Sequence, residues 1–122
     1  RILGTKLMFA GIVSNAQKYT ILRHSHALVL ASSGEQFNIP TLEALAVGIP
    51  VLAKRLPDME DIYGDMVDYW NSPEELVEKA NRVLKEGRGD IEARRKWVID
   101  NGFTLEARAE RLERMFLEVL EI

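Results

Sequence analysis

The chain has 122 residues, 47% of them hydrophobic and 29% charged, with a formal net charge of −3 and no cysteine. That length and composition fit one domain with a real core and are too small for two. They exclude disulfides and thiolate metal centres, offer no basic field for nucleic acid, and contain no apolar run near the roughly 18 residues of a membrane span.

The first apolar stretch, "KLMFA" at residues 6–10, predicts a short buried strand ending at Gly11. Residues 16–25 read as a helix with Asn15 as its N-cap. "HALVLAS", 26–32, is a near-continuous apolar run, the pattern of a parallel strand covered on both faces. "SGEQFN" is a loop, and Pro40 opens a helix through "TLEALAV" that stops at Gly48. "PVLA", 50–53, is the next strand, and "LPDMEDIYGD" is a loop with at most a turn or two of helix. "MVDYW", 66–70, alternates like a strand.

Ser72, Pro73 and Glu75 then make a capping box with proline at the first helical position. The helix they start should bury Leu76, Val77, Ala80, Val83 and Leu84. Asp90 caps a further helix closed by Gly102, and Thr104 caps a last one with the stripe Leu105, Ala109, Leu112, Phe116 and Val119. Strands alternating with helices predict an α/β, Rossmann-like domain: a small parallel sheet flanked by helices, with a helical C-terminus. Sheet order is expected as 6–10, 27–31, 50–53, 66–70, with helix 16–25 as a right-handed crossover.

Residues 1–50 hold four Lys/Arg against two acids, and residues 51–122 hold twelve against seventeen. The mildly positive half carries "EQFNIPTLEALAVGIPV", residues 35–51. Its loop leaves the C-terminal end of a strand and enters a helix, the edge where open α/β sheets bind ligands. Backbone N–H groups and the helix dipole there favour phosphate. Glu35 on the loop and Glu43 one turn into the helix are carboxylates suited to paired hydroxyls. The residues thus describe a site for a phosphate flanked by polyols.

Other polar groups read as surface or packing. His24 and His26 share no helix face, and Asp58, Glu60, Asp61 and Asp65 lack the spacing of a calcium loop. Trp70 and Trp97 read as packing residues, and the basic residues of "RVLKEGR" and "EARRKW" as a solvated face.

The 35–51 segment resembles the donor-binding signature of the retaining GT-B glycosyltransferases of glycosyltransferase family 4. Eleven positions match within seventeen: Glu35, Phe37, Ile39, Pro40, Leu42, Glu43, Ala44, Ala46, Gly48, Pro50 and Val51. "LMFAGIVSNAQKYTILRHSHALVLASS" is similar to the segment that precedes the signature, with Ser32 in the usual serine position, and "NGFTLEARAERLERMF" to the family's closing helix. The resemblance implies that residues 1–122 are a single, partial GT-B donor-binding domain. It implies Glu35 as the catalytic contact to the donor sugar and Glu43 as the ligand of the ribose. Backbone N–H groups of Asn38 and Ile39 would approach the pyrophosphate, with Phe37 and Ser32 in the same donor site, and Gly11 and Ile12 would border the base.

A UDP-, GDP- or ADP-sugar is the implied donor, with no metal and no other cofactor. Gln36 and Asn38 replace the family's two glycines, which bears on the sugar pocket. The family's diphosphate-gripping Arg/Lys pair has no match; Lys18, Arg23, Lys54 and Arg55 stand elsewhere. An N-terminal acceptor domain is expected as the missing partner, nucleic acid is not, and peripheral membrane association is expected of the parent alone. The chain does not begin with Met, so a cut piece is expected, without transfer activity of its own, and a cytoplasmic location. The competing readings are a non-catalytic nucleotide or nucleotide-sugar module and a structural α/β fragment.

Overall fold

The structure is a computed structural model that describes residues 7–31 and 39–101. In chain order it has α1 (Asn15–Arg23), β1 (Leu28–Leu30), α2 (Ile39–Val47), β2 (Val51–Lys54) and α3 (Pro57–Tyr63). A short 3-10 turn (Gly64–Met66), β3 (Asp68–Trp70), α4 (Pro73–Glu86) and α5 (Ile91–Asp100) follow. The strands form one parallel sheet in the order β1-β2-β3, with Val29 opposite Leu52 and Ala53 opposite Tyr69. This is a small Rossmann-like α/β arrangement, as the alternation of elements predicts.

Successive strand residues face opposite sides, and the burial follows that period. Leu28, Leu30, Val51, Ala53 and Tyr69 face a core shared with Leu42, Ala44, Leu45, Met59, Tyr63 and Val98 from α2, α3 and α5. Val29 and Leu52 face the other side, where they line a cavity of about 320 Å³ with Ala80, Val83 and Leu84 of α4. Asp68, opposite Leu52, shares that side and pairs with Lys79 of α4. β2 is thus covered on both faces, and Val51, Leu52 and Ala53 are all buried.

Gly48 ends α2 with φ +105°, and a Cβ there would lie 2.3 Å from Cγ2 of Ile91. Only glycine lets α5 cross so close to the end of α2. Two arginines of α5 finish that end: Arg94 Nη1 donates to Gly48 O at 2.9 Å and Arg95 Nε donates to Val47 O at 3.0 Å. Cations at a helix C-terminus also suit its dipole. Tyr63 and Trp97 close the far side of the core, ring centroids 5.6 Å apart.

Four expectations need correction. Residues 7–10 form no strand, and the described sheet has three strands rather than four. Leu7, Met8, Phe9 and Ile12 are exposed, Phe9 at 89%. A strand exists only with a neighbour to bond, and none of the described strands lies beside these residues, while α1 packs on α2 and reaches the core through Leu22. Secondly, Ser14 rather than Asn15 caps α1. Gln17 N donates to Ser14 Oγ and Ser14 N donates to Gln17 Oε1, a reciprocal box. With Asn15 as cap the third helical position would be Lys18, which has no acceptor to offer.

Thirdly, the box at α4 is half formed. Glu75 N donates to Ser72 Oγ at 3.2 Å, while the Glu75 carboxylate turns to Lys79, 4.0 Å away. Fourthly, the α4 stripe is not buried. Leu76, Ala80 and Val83 are half-buried, and Val77 and Leu84 stay 58% and 62% exposed, because among the described elements α4 packs mainly on β2 and β3. The remaining elements stand within a few residues of expectation, including two turns of α3 in the loop after β2 and the Asp90 cap, which accepts from Ala93 N at 2.9 Å. The helix expected from Thr104 lies outside the described residues.

Candidate functional site

β1 ends at Leu30 and α2 begins at Ile39, so the N-terminus of α2 follows the C-terminal end of the first strand. Pro40 sits in the first turn, where its missing N–H leaves no gap, and both it and Ile39 are exposed at the start of the helix. Glu43 is the fifth residue of α2, one turn in. Neighbours Thr41, Leu42, Ala44 and Leu45 are buried against the sheet, which fixes the helix rotation and leaves Glu43 on its flank.

On that flank stands α1. Lys18 Nζ donates to Glu43 Oε2 at 2.6 Å, with the carboxylate side chain 13% exposed and the lysine side chain 38% exposed. The contact joins the first turns of two helices, since Lys18 is the fourth residue of α1. The hydrogen bond to Glu43 raises the Lys18 pKa above its ordinary value, with desolvation working against it. The result is a carboxylate aimed near the helix mouth, with acceptor capacity beyond the one bond to Lys18.

Of the site residues expected from sequence, the structure describes Glu43, Ile39, Gly11 and Ile12. Ile39 and Glu43 share the first turns of α2. Gly11, with φ +69°, and Ile12 precede the Ser14 cap of α1 in an exposed extended segment and are not packed against α2. Glu35, Ser32, Phe37 and Asn38 lie outside the described residues. The residue missed by sequence reasoning is Lys18, which was compared only with the absent diphosphate pair. No local signal marks it, because its partner lies on another helix.

Among the described residues, no group of three His, Cys, Asp or Glu side chains is arranged to hold a metal ion. Arg55, just past β2, is committed: its Nη1 lies 2.9 Å from Glu60 Oε1 and its guanidinium stacks 5.3 Å from the Tyr69 ring centroid. A cavity of about 640 Å³ runs along β3, lined by Arg55, Glu60, Tyr69, Arg88, Asp90 and Arg94 among others. It contains neither Glu43 nor Lys18, and it mixes acids with bases, several already paired or capping. Size alone does not make it the site; the convergent geometry at the mouth of α2 is the better candidate. No helix among the described residues is long and apolar enough to cross a membrane.

Comparison with curated proteins and with solved structures gives no match. Comparison with protein families matches residues 1–114 to the glycosyl transferase-like family. The match spans the α1–β1 segment, the 35–51 signature and all of the described sheet, so the helix mouth carrying Glu43 falls within a glycosyl-transfer protein: the chain belongs to the glycosyl transferase-like family.

Proposed function

We propose that this chain is the donor-nucleotide part of a retaining GT-B glycosyltransferase, and that Glu43 accepts the two ribose hydroxyls of a UDP-, GDP- or ADP-sugar. The observation that carries the reading is the half-buried, lysine-paired Glu43 carboxylate one turn inside a helix at the C-terminal edge of a parallel sheet. Ligands of open α/β sheets bind at that edge, and the free N–H groups of a helix N-terminus favour a diphosphate. Glu35 would meet the donor sugar near its reacting carbon. There the bond from sugar to diphosphate breaks as an acceptor oxygen bonds to the same carbon, with retained configuration. The helix dipole of α2 would stabilise charge on the departing diphosphate without a metal. The acceptor would be held by a separate N-terminal domain.

The committed state of Arg55 favours a second reading for the chain alone. A cation already paired with Glu60 is less available to a leaving diphosphate, so this segment would bind nucleotide without transferring sugar. Calorimetric titration of UDP, GDP, ADP and their sugars tests both. Binding of one nucleotide family is expected, weakened in Glu43→Gln by about tenfold or more, the size of a lost hydrogen bond to a charged group. Equal affinity in wild type and Glu43→Gln would refute the assignment of Glu43, and sugar turnover by the 122-residue chain would refute the second reading.

A further inference from the structure

We propose that Lys18 is a positioning residue of the nucleotide site, holding the Glu43 carboxylate in the orientation in which it receives the ribose hydroxyls. The inference rests on the nucleotide-binding reading above. Three observations lead to it. The bond is short and charge-assisted, at 2.6 Å. Its carboxylate is mostly removed from water, and a half-buried carboxylate without a partner would rotate to find one or take up a proton. Finally, Lys18 and Glu43 both stand in the first turns of their helices, α1 and α2, which pack on each other, so the pair is set at the mouth of α2.

Among the described residues, the other charged side chains bonded at α2 come from α5, and they act at its opposite end: Arg94 on Gly48 O and Arg95 on Val47 O. Among the described residues, Lys18 is therefore the cation paired with Glu43. The ammonium also lies 5.5 Å from the centroid of the Tyr19 ring, which narrows its own freedom. A carboxylate offers about four lone-pair directions. One bond from Lys18 to Oε2 leaves room for two hydroxyl donors, so holding and binding are compatible.

The test pairs two substitutions with two ligands. Lys18→Met and Lys18→Arg are titrated calorimetrically with whichever of UDP, GDP and ADP binds the wild type, and with its dideoxy analogue lacking both ribose hydroxyls. Lys18→Met should weaken the ribonucleotide about tenfold, and Lys18→Arg should recover most of that loss. Neither substitution should alter the already weaker binding of the dideoxy analogue. A lysine that only attracts phosphate would weaken both ligands alike, and that outcome overturns the proposal. So does unchanged or tighter ribonucleotide binding by Lys18→Met.

A ligand-free measurement separates the two readings. NMR titration of the Lys18 side-chain amine should show it above its ordinary range in wild type and lower in Glu43→Gln. No difference means the pair does not exist in solution, and Lys18 holds nothing. A clear difference without nucleotide binding by the wild type places the failure in the nucleotide reading, and the role of Lys18 in it falls too. Thermal unfolding of Lys18→Met near that of wild type confirms that the loss is local, as expected for a residue on a helix with no buried side chain.

Discussion

On one face of the sheet α2 buries Thr41, Leu42, Ala44 and Leu45, while on the other α4 buries none of its fourteen residues. By sequence alone α4 looks the better core helix, because its apolar residues fall on one clean stripe. α2 is apolar almost all round. The difference comes from neighbours: α2 is wedged between the sheet, α1 and α5, whereas α4 packs mainly on β2 and β3 among the described elements. Amphipathic spacing tells which side of a helix turns inward. How much of that side is covered depends on what else packs there, which local sequence does not encode.

The largest expected effect is at the centre of the covered face. Leu45 is fully buried, so Leu45→Ala should lower unfolding free energy by about 2–5 kcal/mol, measured by chemical denaturation. Leu84→Ala on the open face should cost under about 0.5 kcal/mol, the usual size for an exposed site. Similar costs at the two positions would break the contrast between the faces.

Gly48→Ala comes next. It places a Cβ 2.3 Å from Ile91 Cγ2 at a backbone φ of +105°, and should cost about 1–3 kcal/mol by the same denaturation assay. Adding Ile91→Ala should recover part of that loss by removing the clash while leaving the φ strain, so full recovery would show that strain contributes little. A smaller effect is expected on the α4 face, where Ser72→Ala removes the hydroxyl that accepts from Glu75 N and should cost about 1 kcal/mol.

A pH effect belongs to the covered face as well. Burial pushes the Tyr69 hydroxyl up to about 12, with Glu60 adding to the shift and Arg55 opposing it. A raised folded pKa means that the neutral hydroxyl is favoured by folding. Its contribution is complete below the ordinary value of 10 and is lost as pH rises through about 12. Stability measured from pH 9 to 12 should fall less steeply in Tyr69→Phe, on the order of one proton less across that window. An identical slope in both proteins would show that Tyr69 ionises freely in the fold.

Most of the architecture is legible in the sequence because its signals are local. Pro40 and Gly48 bracket α2, Asp90 caps α5, and the runs at 27–31 and 50–53 give two neighbouring strands of the sheet. The errors arise where the deciding contact is distant. Residues 7–10 have strand composition, yet a strand exists only with a neighbour to bond, and none of the described strands lies beside them. Ser14 and Asn15 are both good caps, and Gln17 decides between them through its side chain. At the site, Glu43 is readable from its place one turn after Pro40. Lys18 is not, because it meets Glu43 only once α1 lies against α2.

Nucleotide is proposed at the mouth of α2 rather than in the cavity along β3, and amide NMR shift mapping compares the two regions in one titration. Nucleoside diphosphate added to the labelled protein should move the amides of Ile39, Thr41, Leu42 and Glu43 and of Gln17 and Lys18 most, leaving Arg88, Gly89 and Asp90 nearly still. Shifts concentrated at residues 87–94, with the start of α2 unmoved, would contradict it.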